Sequence, residues 1–303
     1  MSGAELDWKP GRATTNGVEL AYEEAGPSNG ACVLLIPGLS WQLIHWPDDY
    51  CRRLVERGLR VIRIDNRDAG LSTILKGRTR INLVKATIRS KLRLSVAADY
   101  TLHDMAADVI GLLDALAIKR VHLVGMSMGG MIAQVVAGTA PERVASLTSI
   151  MSTTNHPWLP GAAAAVQKRL ISRSPDNQRE TIVARDMAMQ AMIGSPRYPA
   201  SEQERRALAE RAFDRAHRPG GVLRQMNAII ATGSFERTLK NISAPTQIIH
   251  GRDDLLVRPA GGRRSAKRIR GAKLAIIDGM GHDLPQALLP QIAQLTLDNI
   301  ASA

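Results

Sequence analysis

Short, predominantly apolar runs alternate with longer mixed segments over most of the chain. Each run has four to seven residues, and together they occupy positions 32–36, 59–64, 121–124, 144–150, 246–249 and 274–277. Such runs are typical of strands covered on both faces, and strands separated by helices form parallel sheets. The pattern therefore predicts an α/β fold built on a doubly wound, mostly parallel sheet.

Two local signals indicate individual elements. Asn16-Gly17 lies between short alternating segments, and Asn-Gly is a preferred pair in the two-residue turn of an antiparallel hairpin. The clearest helix is predicted at 102–116, where apolar residues recur on one face. Thr101 and Asp104 fit a capping box at its start.

The strand rhythm stops between residues 152 and 241. This part is rich in arginine, has a helical pattern, and is interrupted by Pro157, Pro160, Pro175, Pro196, Pro199 and Pro219. Because strand-like runs resume at 246, we predict a helical cap inserted between two core strands. The expected organisation is a core in two parts, 1–151 and 242–303, with the cap at 152–241.

The segment Gly125-Met126-Ser127-Met128-Gly129-Gly130 joins the run at 121–124 to a predicted helix at 131–140. A serine on such a strand-to-helix turn has a strained backbone and an exposed hydroxyl, and side chains two positions before and after would crowd it. Gly125 and Gly129 avoid that crowding. Ser127 is therefore predicted to be a nucleophile, in preference to a residue of an ordinary glycine-rich turn.

A nucleophilic serine needs a histidine base and a carboxylate that orients it. In open α/β sheets, ligands bind beyond the carboxyl ends of the strands. Asp253 and Asp254 follow one apolar run, and His282 follows the last one. These side chains are therefore the candidates for the acid and the base.

Serine, acid and histidine in this order resemble the α/β-hydrolase superfamily, and the resemblance spans nearly the whole chain. Besides the turn at Ser127, it is carried by Pro37-Gly38-Leu39, Asp65-Asn66-Arg67-Asp68-Ala69-Gly70-Leu71-Ser72, His250-Gly251-Arg252-Asp253-Asp254 and Gly279-Met280-Gly281-His282. Within the superfamily, bacterial carboxylesterases related to the aclacinomycin methylesterase are similar at Trp46-Pro47-Asp48-Asp49-Tyr50 and Pro219-Gly220-Gly221-Val222-Leu223.

The resemblance implies a role for each candidate. Some members carry the acid one strand earlier, but residues 151–156 contain no carboxylate, so the acid is expected at Asp254. Asp253 is the alternative, and its other role would be in a turn or a cap. His282 is expected to be the base, because His250 ends a buried strand and is interpreted as structural.

The oxyanion hole implied by the resemblance consists of main-chain amides. One belongs to Met128, directly after the nucleophile, and the other to Leu39 or Gly38. Pro37, where many relatives have histidine, has no N–H to offer.

These roles predict a serine carboxylesterase that hydrolyses small to medium apolar esters through an acyl-enzyme on Ser127. A hydroxyl at this position excludes epoxide hydrolases and haloalkane dehalogenases, which need a carboxylate there. Thioesterase, lactonase, amidase, perhydrolase, acyltransferase and carbon–carbon hydrolase activities remain open. So does a ligand-binding homologue without turnover, because a fold alone does not establish a function.

The amino-acid composition limits which classes of binding partner and cofactor are expected. The net charge of +12 is interpreted as a solvated basic surface, and with 3% aromatic residues no nucleic-acid partner is expected. No cofactor or metal is expected, because His, Cys and carboxylate residues lack ligand spacing. Cys32 and Cys51 are interpreted as buried thiols. The first residues show no basic start followed by an apolar stretch, so a cytoplasmic protein is expected.

A basic segment at 76–93 can form a helix with Ile81, Val84, Ile88 and Leu92 on one face. We interpret it as a surface helix packed beside the cap, in preference to a membrane-binding helix. The alternative hypothesis is that it flanks the pocket entrance and binds lipid weakly. The expected partner is a small-molecule ester, and the oligomeric state, including a homodimer, is left open.

Overall fold

Eight strands form one sheet in the computed structural model, which describes residues 6–77, 82–92, 94–172 and 174–303. The strands are β1 Lys9–Thr15, β2 Val18–Ala25, β3 Cys32–Ile36, β4 Arg60–Ile64, β5 Val121–Met126, β6 Val144–Ile150, β7 Thr246–Gly251 and β8 Lys273–Ile277. Their order in the sheet is β1-β2-β4-β3-β5-β6-β7-β8. β2 pairs antiparallel with β1 and β4, and every pairing from β4 through β3 to β8 is parallel. The predicted α/β fold with a mostly parallel sheet is confirmed.

Helices cover both faces of the sheet. They are α1 Asp48–Val55, α2 Leu83–Lys91, α3 Leu102–Ala115, α4 Met128–Thr139, α5 Ala164–Ile171, α6 Arg179–Ile193, α7 Glu202–Arg215, α8 Pro219–Thr232, α9 Glu236–Leu239, α10 Ala260–Arg268 and α11 Leu289–Ile300. Leu34 and Ile36 of β3 belong to a core cluster with α3 and α4, whereas Val33 and Leu35 belong to a second cluster with α1 and α11. Because both faces are covered, this strand is apolar at every position.

The two local signals are confirmed. Thr15 pairs with Val18, and Asn16 and Gly17 between them both have positive φ, 45° and 75°, as a type I′ turn requires. α3 begins after Thr101, whose backbone N–H donates to the Asp104 carboxylate at 2.7 Å. The helix predicted at 131–140 begins earlier, at Met128, because the turn at Ser127 leads into it directly.

Between β6 and β7 the described residues form helices α5 to α9 and no strand. α6 packs on α7, and α8 packs against α2 and α3. The helical character predicted for residues 152–241 is confirmed, while their division from the rest as a cap stays a prediction. We refer to these residues as the cap segment.

Cys32 and Cys51 are buried, as expected, and neither forms a disulfide. Burial raises the pKa of both thiols to about 12. Within the described ranges, no helix has both the length and the apolar composition needed to cross a bilayer.

Candidate active site

Ser127 lies on the tight turn between β5 and α4 and has φ 55° and ψ −120°. A β-carbon on Gly125 would lie 2.2 Å from the Gly129 carbonyl oxygen, and one on Gly129 would lie 2.0 Å from the Ile36 carbonyl oxygen. Both distances are far below van der Waals contact. The turn therefore requires glycine at the two positions that the sequence singled out.

Hydrogen bonds from neighbouring elements hold this turn. The Ser127 N–H donates to the Ile150 carbonyl at 2.9 Å, and the Ser127 carbonyl accepts from the Ser152 hydroxyl at 2.8 Å. The Gln134 amide donates to the Ser149 hydroxyl at 3.1 Å. The end of β6 and the first turns of α4 thus fix the strained backbone from two sides.

Three side chains that are far apart in the sequence lie close together at this turn. The Ser127 Oγ atom lies 3.0 Å from His282 Nε2, and His282 Nδ1 lies 2.7 Å from Asp254 Oδ2. All three residues are buried, with Asp254 fully inaccessible. The arrangement is a hydroxyl, an imidazole and a carboxylate in series, and it can remove a proton from the hydroxyl as a carbon centre is attacked.

The contacts of Asp254 determine which nitrogen of the His282 imidazole carries the proton. Its Oδ1 accepts backbone hydrogen bonds from Leu256 at 2.8 Å and Val257 at 2.9 Å. Burial raises the pKa of the Asp254 carboxyl, but the neighbouring imidazoles of His282 and His250 outweigh this effect, so the pKa lies well below its ordinary value. An ionised carboxylate only accepts, so His282 Nδ1 is the donor and Nε2 is left to accept from Ser127.

The alternative acid and base lie in other positions. Asp253 Oδ2 accepts from the Gly279 N–H at 2.9 Å, which is the turn role that the sequence left open for it. His250 is fully buried, and its Nε2 donates to the Val257 carbonyl at 2.7 Å and lies 3.4 Å from Asp254 Oδ2. His250 therefore stands behind the carboxylate and does not face Ser127.

The two segments that carry the expected oxyanion amides are α4 and the loop after β3. Met128 is the first residue of α4, where a backbone N–H has no intrahelical partner. The loop after β3 passes close by, since a β-carbon on Gly38 would lie 3.2 Å from Ser127 Cβ. Leu39 follows and packs against the core cluster that includes Met128.

A cavity of about 570 Å³ reaches this group of residues. His282 forms part of its wall, and the apolar lining includes Trp41, Met192, Ile193, Leu208, Leu255 and Leu284. Burial lowers the pKa of His45, also in the wall, to about 4, and its ring stacks on Trp41 with 5.2 Å between centroids. Neutral His45 and these side chains form an apolar part of the wall that suits an apolar ligand group. The lining also contains aspartates and arginines, namely Asp186, Arg205, Arg252, Asp253, Arg258 and Asp283.

Comparison with known proteins identifies the family. The profile of the alpha/beta hydrolase fold family matches residues 33–285, which is most of the chain. This chain belongs to the alpha/beta hydrolase fold family. The superfamily resemblance seen in the sequence is thereby confirmed, and the chain is a hydrolase.

Individual relatives agree with the family assignment. The hydrolase is 27% identical to rhodomycin D methylesterase DnrP of Streptomyces peucetius, over 94% of this chain and 96% of that enzyme. It superimposes on the enol-lactonase from Burkholderia xenovorans LB400 with a TM-score of 0.74 and 23% identity, covering 96% and 100% of the two chains. A meta-cleavage product hydrolase from Pseudomonas fluorescens IP01 gives a TM-score of 0.75 at 19% identity, with 98% of each chain covered. At these identities the solved structures support the fold alone.

Sequence reasoning missed how the cap segment holds the histidine loop of this hydrolase. The His282 N–H donates to the Ile193 carbonyl at 2.7 Å, and the Gly281 N–H donates to Ser195 Oγ at 2.9 Å. The Gly-Ser-Pro at 194–196 signals the end of a helix. Nothing in that signal indicates a partner 86 residues away, so the contact could be found only in the folded chain.

The hydrolase also contains a buried ion pair that the sequence did not reveal. Asp68, in the loop after β4, accepts two hydrogen bonds from Arg224 of α8, at 2.7 and 2.8 Å. Next to it, Gln225 accepts from the Ser40 N–H at 2.9 Å and donates to the Arg67 carbonyl at 2.8 Å. The motif at 65–72 is therefore linked through α8 to the loop after β3, which carries Ser40.

Proposed function

We propose that this hydrolase is a serine carboxylesterase that acts on small to medium apolar carboxylic esters through an acyl-enzyme on Ser127. The observation that carries the proposal is the series of contacts from Ser127 Oγ to His282 Nε2, 3.0 Å, and from His282 Nδ1 to Asp254, 2.7 Å. His282, the middle member of the series, forms part of the wall of a cavity whose lining includes several apolar side chains.

In the acylation step, Ser127 Oγ attacks the ester carbonyl carbon while its proton moves to His282 Nε2. The tetrahedral oxyanion accepts hydrogen bonds from the backbone amides of Leu39 and Met128. Its collapse breaks the bond to the alcohol oxygen, and His282 returns the proton to that leaving group. Asp254 stabilises the imidazolium that exists between these two transfers.

In the deacylation step, a water molecule attacks the acyl carbon and gives its proton to His282. The second tetrahedral intermediate collapses onto Ser127, which recovers the proton as the carboxylic acid leaves. Both steps use one base and one oxyanion site. No further group is needed for an ester, because an alcohol is a better leaving group than an amine.

The cavity and the relatives support an ester as the substrate. A volume of about 570 Å³ falls within the range of small-molecule sites, and aliphatic and aromatic side chains favour an apolar acyl or alcohol group. The similarity to a methylesterase extends over more than nine tenths of both chains, so ester hydrolysis is the activity favoured over other acyl transfers.

Covalent labelling tests the nucleophile. A fluorophosphonate probe should label the wild-type protein and Ser28→Ala, which alters an exposed serine, but not Ser127→Ala. Labelling that persists in Ser127→Ala would overturn the assignment of the nucleophile.

A substrate panel tests the reaction. Wild type and Ser127→Ala should be compared on methyl and longer alkyl esters of several acyl lengths, on a thioester, on a lactone and on a carbamate. We expect the highest kcat/KM on an alkyl ester and no turnover by Ser127→Ala. A preference for another bond by at least tenfold would contradict the esterase proposal and leave the labelling result intact.

A further inference from the structure

α2 has an apolar face that no part of the described chain covers. Val84, Ile88 and Leu92 are 59%, 55% and 66% exposed. With 3.6 residues per turn, successive members of this set lie about 40° apart, so they form one stripe along the helix. The opposite side carries the packing, since Ala86 is buried and the Ser90 hydroxyl donates to the Ile230 carbonyl of α8 at 2.9 Å.

The structure agrees with the surface helix predicted for this segment and adds the direction of its apolar face. The helix is on the surface and packs against the cap segment, as expected, but its apolar face turns outward. Ile81, predicted for the same face, lies outside the described residues, as do residues 78–80 and 93 of the basic segment.

Cations flank the stripe on both sides. Lys91 lies about 60° from Ile88 in one direction, and Lys85 lies about 60° from it in the other, with Arg89 beyond Lys85. In the sequence, positions 69–98 contain seven lysines and arginines and no aspartate or glutamate. An aliphatic centre with a basic border is the pattern of helices that lie in the interface of an anionic bilayer.

A second exposed apolar group lies across a groove from this helix. Thr87, Ser90 and Lys91 line a cavity of about 210 Å³ together with Pro157 and Leu159. Between these two residues is Trp158, which is 78% exposed. Tryptophan is enriched at membrane interfaces, where its ring and its N–H meet apolar and polar surroundings.

From this pattern we infer that α2 and the Trp158 loop form a surface that docks on anionic phospholipid membranes. The stripe would enter the boundary between headgroups and acyl chains, while Lys85, Arg89 and Lys91 would contact lipid phosphates. Arg258 lines both the groove beside α2 and the 570 Å³ cavity, so docking brings the substrate cavity close to the bilayer.

The positive charge of this surface favours an anionic membrane as its partner over a second copy of the chain. Two such surfaces placed face to face would bring their basic borders together, which disfavours self-association. Nucleic acids are held by basic groups and by stacking on aromatic rings, whereas the centre of this surface is aliphatic.

Sedimentation with vesicles tests the inference. The full-length protein should co-sediment with vesicles of phosphatidylglycerol and phosphatidylcholine in equal parts, and much less with phosphatidylcholine alone. Binding should weaken as salt is raised from about 0.1 M, because the basic border is screened. Ser127→Ala should bind as the wild type does, which separates docking from the proposed esterase activity.

Matched variants locate the contact. Leu92→Ser and the pair Lys85→Ala with Lys91→Ala should each lower the affinity by about tenfold or more. The controls are Leu274→Ser, at an exposed leucine of β8, and the pair Lys267→Ala with Lys273→Ala, which removes two exposed lysines elsewhere. Each control should retain binding within about twofold of the wild type. Thermal unfolding and hydrolysis of a water-soluble ester should be unchanged in the Leu92 and Lys85–Lys91 variants.

Three results would overturn the inference. The first is no co-sedimentation with the anionic vesicles. The second is an equal loss from both lysine pairs, which would indicate only the overall positive charge. The third is a wild-type dimer that Leu92→Ser converts to a monomer in light scattering, which would assign the surface to a second copy.

Discussion

Asp253 and Asp254 are neighbours in the chain, but their carboxylates face different partners. Asp254 accepts from His282 and from two backbone amides, whereas Asp253 accepts from the amide of Gly279 in the turn before the histidine. The type of residue is the same at both positions. The surroundings therefore decide which carboxylate can hold the imidazole and stabilise its positive charge.

Replacing each aspartate by asparagine tests this difference. Asp254→Asn should lower kcat for an ester by about 10⁴ at pH 7, because an amide no longer fixes Nδ1 as the protonated nitrogen. Asp253→Asn keeps an oxygen that can accept from Gly279 and should retain kcat within about tenfold. Steady-state kinetics of the two variants measure the effect. Equal losses would contradict the role proposed for Asp254.

His45 should make the stability of the fold depend on pH. Its pKa is lowered from 6.5 to about 4 by burial, so the folded state keeps the imidazole neutral where the unfolded chain binds a proton. The stabilisation is complete above pH 6.5 and is lost as the pH falls toward 4. Because the residue is partly accessible at the cavity wall, we expect a loss of roughly 1 to 2 kcal/mol between pH 7 and pH 5.

Urea unfolding of His45→Gln at these two pH values checks the prediction. The decrease in the free energy of unfolding should be smaller in this variant than in the wild type, even if the variant is less stable at both. His103→Gln, which removes an exposed imidazole from α3, should keep the decrease seen in the wild type. An unchanged pH dependence in His45→Gln would show that another group is responsible.

At the scale of helices, a buried ion pair holds α8 against the loop after β4. The side chains of Asp68 and Arg224 are 0% and 4% exposed and form two hydrogen bonds. Arg224→Ala leaves the Asp68 charge buried and without its partner, which should lower the free energy of unfolding by about 3 to 5 kcal/mol. Arg179→Ala removes a partner of Asp214 from an exposed ion pair and should have a much smaller effect, because solvent screens that pair.

Denaturant titration of the two arginine variants measures this contrast. The slope of the transition should be recorded as well, since a changed slope would indicate that α8 separates from the remainder before global unfolding. Comparable, small losses in both variants would mean that water reaches Asp68 once the arginine is removed.

Helices, strands and turns could be predicted from the sequence where the residues that determine them are close together in the chain. β3 is apolar at each position because helices cover both faces, and the hairpin at Asn16-Gly17 follows from two left-handed residues. The turn at Ser127 needs its glycines for contacts within a few residues and with the adjacent strand. For α2 the same reasoning predicted a surface helix, but periodicity identifies an apolar face without showing whether anything covers it, so the exposure of that face was not predictable.

On the scale of the whole molecule, the candidate site joins two regions that are far apart in sequence. The order of serine, acid and histidine was readable, because each follows a strand at the same edge of the sheet. The support that the cap segment gives to the histidine was not readable. This support consists of hydrogen bonds from the loop at 281–283 to Ile193 and Ser195. No local sequence pattern indicates that these two parts of the chain meet.

Ser195 offers a test of whether this support matters for turnover. Its hydroxyl accepts from the Gly281 N–H at 2.9 Å and donates to the Asp283 carboxylate, next to His282. Ser195→Ala leaves both groups without that partner and should lower the free energy of unfolding by about 1 to 3 kcal/mol. Since the loop that carries the imidazole loses its anchor, kcat should fall by about tenfold or more.

Ser201→Ala provides the matched control in the same segment. Ser201 caps α7 by accepting from the Glu204 N–H, so its loss should cost about 1 kcal/mol of stability, comparable to the lower estimate for Ser195→Ala. The hydrogen bonds of its hydroxyl are with Glu204, so the histidine loop keeps its bond to Ser195 and kcat should be retained. Measuring the free energy of unfolding and kcat in both variants separates the positioning of His282 from a general loss of stability. A similar kcat in the two variants would mean that β8 and the loop after it hold His282 without help from the cap segment.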